Sequence, residues 1–143
     1  MSATITSAEA APPKPFMFEN VGKAGTCIML LGHDTSPGTR VTNMATCDRN
    51  DALQQWTRDP ATGYVRNVSE PNYCMAPVAL MFRGVGATTK RDHCQAVNRE
   101  GWDKIHFPGA TNYFESGPGN SAVFAKSKAP DNDFQGWFTP PVR

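Results

Sequence analysis

The sequence has no run of about 18 apolar residues, so no stretch of it reads as a membrane-spanning helix. It has no block of like charge: Lys plus Arg total 14 against 13 for Asp plus Glu, a net charge of +1. Nothing in that balance calls for nucleic acid or an anionic membrane surface as partner. No window keeps a 3.6-residue apolar period, which argues against a helical bundle. A basic start followed by an apolar stretch, the mark of a secretory signal, is missing as well. Residues 1–15 are small, polar and Pro-rich and read as a disordered lead-in to one domain over 16–143. There is no C-x-x-C and no close Cys/His set, so no metal site and no cofactor is expected. A lone Gly84-Val85-Gly86 with no helix after it is no phosphate loop. His33, His93 and His106 are the only histidines. A nucleophilic pair of His93 with Cys94 is the one catalytic arrangement to weigh, and Cys94 is more simply half of a disulfide. The chain is therefore expected not to be an enzyme.

Twelve Gly and twelve Pro spread along 143 residues fit many short strands joined by tight turns. Runs such as 26–31, 39–44 and 64–68 are β-branched or apolar. The breaks carry turn chemistry at Ser36-Pro37-Gly38, Asp59-Pro60-Ala61-Thr62-Gly63, Arg83-Gly84-Val85-Gly86 and Gly117-Pro118-Gly119. Cys27 and Cys47 lie 20 residues apart, as do Cys74 and Cys94, and the second pair is offset from the first by 47. Four cysteines allow three pairings. The equal spacing favours Cys27–Cys47 and Cys74–Cys94, with four buried thiols as the alternative; disulfides imply an oxidising, extracellular setting.

The strongest signal is internal repetition. Phe18 and Val65 each stand nine residues before a cysteine, and each is followed by Asn-Val (Asn20-Val21, Asn67-Val68). A third copy starts at Ile105, with Phe114 in the cysteine position. Each unit ends on a tryptophan, at Gln54-Gln55-Trp56, Glu100-Gly101-Trp102 and Gln135-Gly136-Trp137. A single unit buries too little to be stable; three around a pseudo-threefold axis share one core and close a barrel. The expected fold is an all-β trefoil, with Trp56, Trp102 and Trp137 as core pegs and Gln54 beside the first.

Gly25-Thr26-Cys27, Cys47-Asp48, the Gln-x-Trp triplets and the Asp59–Gly63 turn together resemble the ricin B-type lectin family, over roughly 16–137. The resemblance implies a β-trefoil that binds glycans or glycoproteins in shallow pockets, one per unit. The family's pocket uses an Asp two places after the first cysteine, an aromatic ring two places before the second, and an Asn before the Gln of Gln-x-Trp. Here the first of these falls on Met29, Ala76 and Ser116. The second falls on Ala45 and Asp92, with Phe124 nearby in unit three. The third falls on Leu53, Arg99 and Phe134. Units one and two thus lack the usual polar groups, and the candidate pocket is in unit three: Asn112, Tyr113, Glu115, Asn120, Phe124 and Gln135. The end of the chain, Gln135–Val142, also resembles the receptor-binding trefoil subunits of cytolethal distending toxins, which pair with a catalytic nuclease subunit and use an aromatic patch at the cell surface. The alternative reading is accordingly a protein-interaction trefoil, either such a subunit or a protease inhibitor.

Overall fold

The computed structural model describes residues 13–30, 42–78, 84–88, 94–108, 112–117 and 123–142. Most of the expected lead-in, His33, His93, Asn120 and the turn at 36–38 lie outside these residues. The described secondary structure is strand, apart from two short 3-10 turns. Three units of four strands follow one another. Unit one holds β1 (Glu19–Asn20), β2 (Thr26–Leu30), β3 (Thr42–Thr46) and β4 (Trp56–Arg58). Unit two holds β5 (Val65–Asn67), β6 (Cys74–Val78), β7 (Gly84–Thr88) and β8 (Asn98–Glu100). Unit three holds β9 (Lys104–Phe107), β10 (Asn112–Ser116), β11 (Val123–Lys126) and β12 (Trp137–Phe138). All the pairings are antiparallel, in two sheets ordered β12-β1-β2-β3 and β4-β5-β6-β7-β11-β10-β9-β8.

Three backbone hydrogen bonds fix which residues are equivalent. The N–H groups of Trp56, Val97 and Trp137 donate to the carbonyls of Phe16, Gly63 and Asp103, at 2.9, 2.9 and 2.8 Å. Each bond ties the start of the last strand of a unit to the residues that lead into its own first strand. Positions 18, 65 and 105 are therefore equivalent, and Phe18, Val65 and Ile105 are all buried in the shared core.

The same bonds correct the expected role of Trp102. The peg position of unit two is held by Val97, preceded by Gln95 and Ala96, whereas Trp102 lies in the turn between β8 and β9 and is 67% exposed. That turn joins Glu100 to its partner Lys104 through three residues. Gly101 opens it at φ 64°, a left-handed conformation suited to this kind of hairpin. Trp56 and Trp137 are fully buried, as expected. Their indole Nε1 groups donate to Ile28 O (3.1 Å) and Phe114 O (2.9 Å). In unit two the equivalent carbonyl, on Met75, accepts the backbone N–H of Gln95 at 3.4 Å instead.

A volume exchange accompanies the substitution. Trp56 pairs across strands with Asn67 and Trp137 with Asn20, a large residue opposite a small one. Continued by one residue, the β8–β9 register sets Val97 opposite Phe107, a small residue opposite a large one. Both asparagines are buried and hold the 3-10 turns in place: Asn67 donates to Leu53 O and Asn20 to Phe134 O, each at 2.9 Å. The equivalent position in unit two is Phe107, a fully buried apolar ring. Close packing of the interior requires this kind of trade between facing positions.

Both expected disulfides are present, Cys27–Cys47 and Cys74–Cys94, with Cα atoms 5.0 and 5.7 Å apart. Each closes a loop within its own unit, worth roughly 3 kcal/mol in the chain-entropy account.

Candidate functional site

Unit three differs from the sequence reading by one residue. Cys27 pairs with Glu19 and Cys74 with Arg66, while the equivalent His106 pairs with Tyr113. Tyr113, rather than Phe114, therefore fills the cysteine position, because the β9–β10 connection is one residue shorter. Phe114 is a buried core residue equivalent to Ile28 and Met75. The position two places after the cysteine then moves from Ser116 to Glu115. Ser116 is buried, and its hydroxyl is spent on Gly117 O at 3.1 Å.

Glu115 sits at the centre of a polar cluster built by three elements. β10 presents its carboxylate, β11 supplies Lys126, and the second 3-10 turn (Asp133–Gln135) supplies Gln135 and its N-cap Asn132. Asn132 Nδ2 donates to Glu115 Oε1 at 3.0 Å, Gln135 Nε2 donates to the same oxygen at 3.1 Å, and Lys126 Nζ stands 3.3 Å from Oε2. A carboxylate accepts about four hydrogen bonds, so Oε2 keeps room for a ligand hydroxyl. The turn exists because Asn132 caps it: its Oδ1 accepts from Phe134 N at 3.0 Å. Asp51 caps the first turn (Ala52–Gln54) in the same way, accepting from Leu53 N.

The glutamine of each Gln-x-Trp triplet is a clip. Gln54 is buried; its Oε1 accepts from Asp48 N and its Nε2 donates to Thr46 O, both at 2.9 Å. Gln135 repeats this on Ala129 N and Ser127 O, both at 2.8 Å, with the contact to Glu115 in addition. Gln135 thus positions the carboxylate from beneath. Gln95, in unit two, is exposed.

The other expected pocket residues separate. Tyr113 is two residues before Glu115 and lies on the same face of β10, but its ring and hydroxyl are engaged away from the carboxylate. Its ring stacks on His106 (centroids 4.8 Å apart, planes 8° from parallel) and its hydroxyl donates to Glu100 Oε1 at 2.9 Å. Lys128 stands where unit one has Cys47: it pairs with Glu100 Oε2 at 2.6 Å and sits 5.9 Å above the Tyr113 ring. A Tyr–Glu–Lys cluster thus occupies the site of the missing third disulfide. The Lys128 hydrogen bond, and then that of Tyr113, lowers the Glu100 pKa. Burial, and then Glu100, raises that of the Tyr113 phenol, and Glu100 raises that of Lys128. Phe124 lies opposite Glu115 in the β10–β11 register, and Asn112 opposite Phe107. The position of the usual stacking ring holds Ala45 in unit one and, in unit three, Lys126. Neither Lys126 nor Asn132 figured among the residues expected from sequence.

No family model and no curated protein sequence matches the chain. Solved structures do. The C-half of an earthworm R-type lectin, solved with GalNAc, shares 13% identity at a TM-score of 0.72, covering 90% of this chain and 99% of the lectin fragment. The β-trefoil lectin domain of the Vibrio vulnificus hemolysin/cytolysin, solved with N-acetyl-D-lactosamine, shares 13% identity at a TM-score of 0.70, covering 93% and 98%. The fold is that of the β-trefoil lectins. A mosquitocidal holotoxin matches at 10% identity and a TM-score of 0.70, over 94% of this chain, which spans only 18% of the holotoxin. The trefoil thus occurs both as a lectin fragment of this chain's size and as a small part of a larger toxin.

Proposed function

We propose that this trefoil is a non-catalytic module that recognises a glycan or glycoconjugate through the third unit, with Glu115 as the hydroxyl acceptor. The register of Glu115 carries the reading: its carboxylate occupies the position two places after the cysteine slot, where the lectin resemblance places an acid, and three side chains hold it there. Met29 and Ala76 occupy the equivalent positions in the other units and offer no acceptor, so one site per chain is expected. Lys126 in the stacking position shifts recognition from ring stacking towards hydrogen bonding. The trefoil lectins solved with GalNAc and N-acetyl-lactosamine set the first ligands to try. Titration of the protein with these sugars, followed by amide shifts of Glu115, Lys126 and Asn132, is expected to show saturable binding that Glu115→Gln lowers about tenfold or more, as expected for loss of a charge-assisted acceptor. Silence across both sugars at millimolar concentration defeats the reading. The two disulfides support an extracellular setting.

A second reading, an interaction trefoil serving as a toxin subunit, rests on one observation. Trp102 and Phe138 are exposed side by side, ring centroids 6.2 Å apart, on the face opened by the β8–β9 turn. Aromatic pairs of this kind anchor protein interfaces. If this face binds the cell surface or a partner, Trp102→Ala combined with Phe138→Ala abolishes that binding and leaves the sugar titration unchanged.

A further inference from the structure

Glu115 has unlike neighbours in the two directions along β10. Towards the start of the strand, Lys126 stands opposite Tyr113 in the β10–β11 register and closes the site with a cation. In the other direction, two residues on, Gly117 O accepts Lys23 Nζ at 3.0 Å. Lys23 belongs to the turn between β1 and β2. That turn is pressed against the second 3-10 turn: Gly22 N donates to Asp133 O at 3.0 Å. A methyl group placed on Gly22 would come within 3.0 Å of Phe134 Cδ1. On this side the site is therefore bounded by the ring of Phe134, lying beside the bare backbone of Gly22.

Phe134 is held firmly and yet left in the open. Its N–H donates to Asn132 Oδ1 at 3.0 Å and its carbonyl accepts Asn20 Nδ2 at 2.9 Å, so the backbone that carries the ring is fixed on both sides. Asn132 also links it to the acceptor, because its Nδ2 donates to Glu115 Oε1 at 3.0 Å. A single side chain thus bridges the carboxylate and the residue that bears the ring. Leu53 holds the equivalent place in the first 3-10 turn and packs against the core. Phe134 instead is 46% exposed. In the lectin resemblance this position carries an amide. Here the amide contact comes from Asn132, and the place before the glutamine holds an aromatic ring. A pyranose presents C–H groups on its faces and hydroxyls around its edge. It can cover a phenyl face with C–H groups while its hydroxyls stay in water.

We propose that the site takes a disaccharide or longer glycan rather than a single sugar: the terminal ring lies at Glu115, and the next ring lies over Phe134 with its C–H face on the phenyl. This rests on the glycan reading of the Glu115 site and adds the direction in which the ligand leaves it.

The test titrates the full chain with methyl β-galactoside and with N-acetyl-D-lactosamine, which presents the same terminal galactose followed by one further pyranose. The disaccharide is expected to bind about five- to tenfold more tightly, the gain from covering one phenyl face. Only the disaccharide should shift the aromatic proton resonances of Phe134. Phe134→Ala should bring the ratio of the two affinities down to about one, and Phe134→Tyr, which keeps the ring, should preserve it. Glu115→Gln should weaken both sugars. A ratio near one for the unaltered protein overturns the proposal, as does a raised ratio that Phe134→Ala leaves in place. If methyl β-galactoside still binds and Glu115→Gln still weakens it, the acceptor reading outlives that result. If neither sugar binds, the reading and the proposal fall together.

Discussion

Units one and three and unit two solve the same packing problem in different ways. In the first two, a loop of several residues after strand three is pinned by a buried glutamine, capped by Asp51 or Asn132, and closed on an indole that spans the barrel. In unit two Gln95 turns to solvent, Val97 stands in place of the indole, and the facing position holds Phe107 instead of asparagine. Clip, peg and facing asparagine thus go together: where the indole is missing, the buried glutamine and the asparagine are missing with it.

The sharpest way to break the comparison is to remove the aromatic rings. Trp56→Ala or Trp137→Ala is expected to cost about 3–5 kcal/mol, the usual range for a large buried aromatic. Trp102→Ala should stay within about 0.5 kcal/mol because its ring is in solvent. Urea denaturation of the three variants settles it, and equal losses at all three positions would restore Trp102 as a peg. Next in size are the clips. Gln135→Ala and Gln54→Ala each remove a buried side chain that bonds two backbone groups and should each cost about 1–3 kcal/mol, whereas Gln95→Ala should be nearly silent.

The smallest effect concerns what replaces the disulfide in unit three. The Lys128 and Tyr113 pKa values are raised above 10.5 and 10.0, so their contribution is complete below those values and is lost as the pH climbs through the folded-state pKa values. Glu100 is lowered from 4.5, so its contribution is complete above that value and fades as the pH falls through the lowered pKa. Thermal melting against pH should therefore show a shallow loss on both flanks. Lys128→Gln should flatten the acid flank, where its hydrogen bond is the first cause of the Glu100 shift, and leave the tyrosine part of the alkaline flank in place, while loops closed by Cys27–Cys47 and Cys74–Cys94 stay indifferent to pH over the same range.

The repeat, the strand-rich class and both cysteine pairs could be read from sequence because they are set by spacing, and spacing survives substitution. Two phases could not. The Gln95-Ala96-Val97 triplet was hidden because Val97 lacks the ring that marks its counterparts, and Trp102, five residues on, supplied a false one in a turn. In unit three, a one-residue shortening before β10 moved the cysteine position from Phe114 to Tyr113, and only the β9–β10 register and the indole bond to Phe114 O reveal it. Glu115 and Gln135 were recognisable as polar groups near an aromatic cluster. Lys126 and Asn132 were not, because each reaches Glu115 from a separate element and nothing local marks them.

β1 is bonded to β2 on one side and to β12, at the far end of the described chain, on the other. As the polypeptide emerges from the ribosome, Glu19 and Asn20 must wait for Trp137 and Phe138 before the ring can shut. Until then the edge of the first sheet is unoccupied, and an early-made strand is available to a neighbouring copy. Rapid local closure of the Cys27–Cys47 loop would then protect the nascent chain, by ordering β2 and β3 before their last partner has been made.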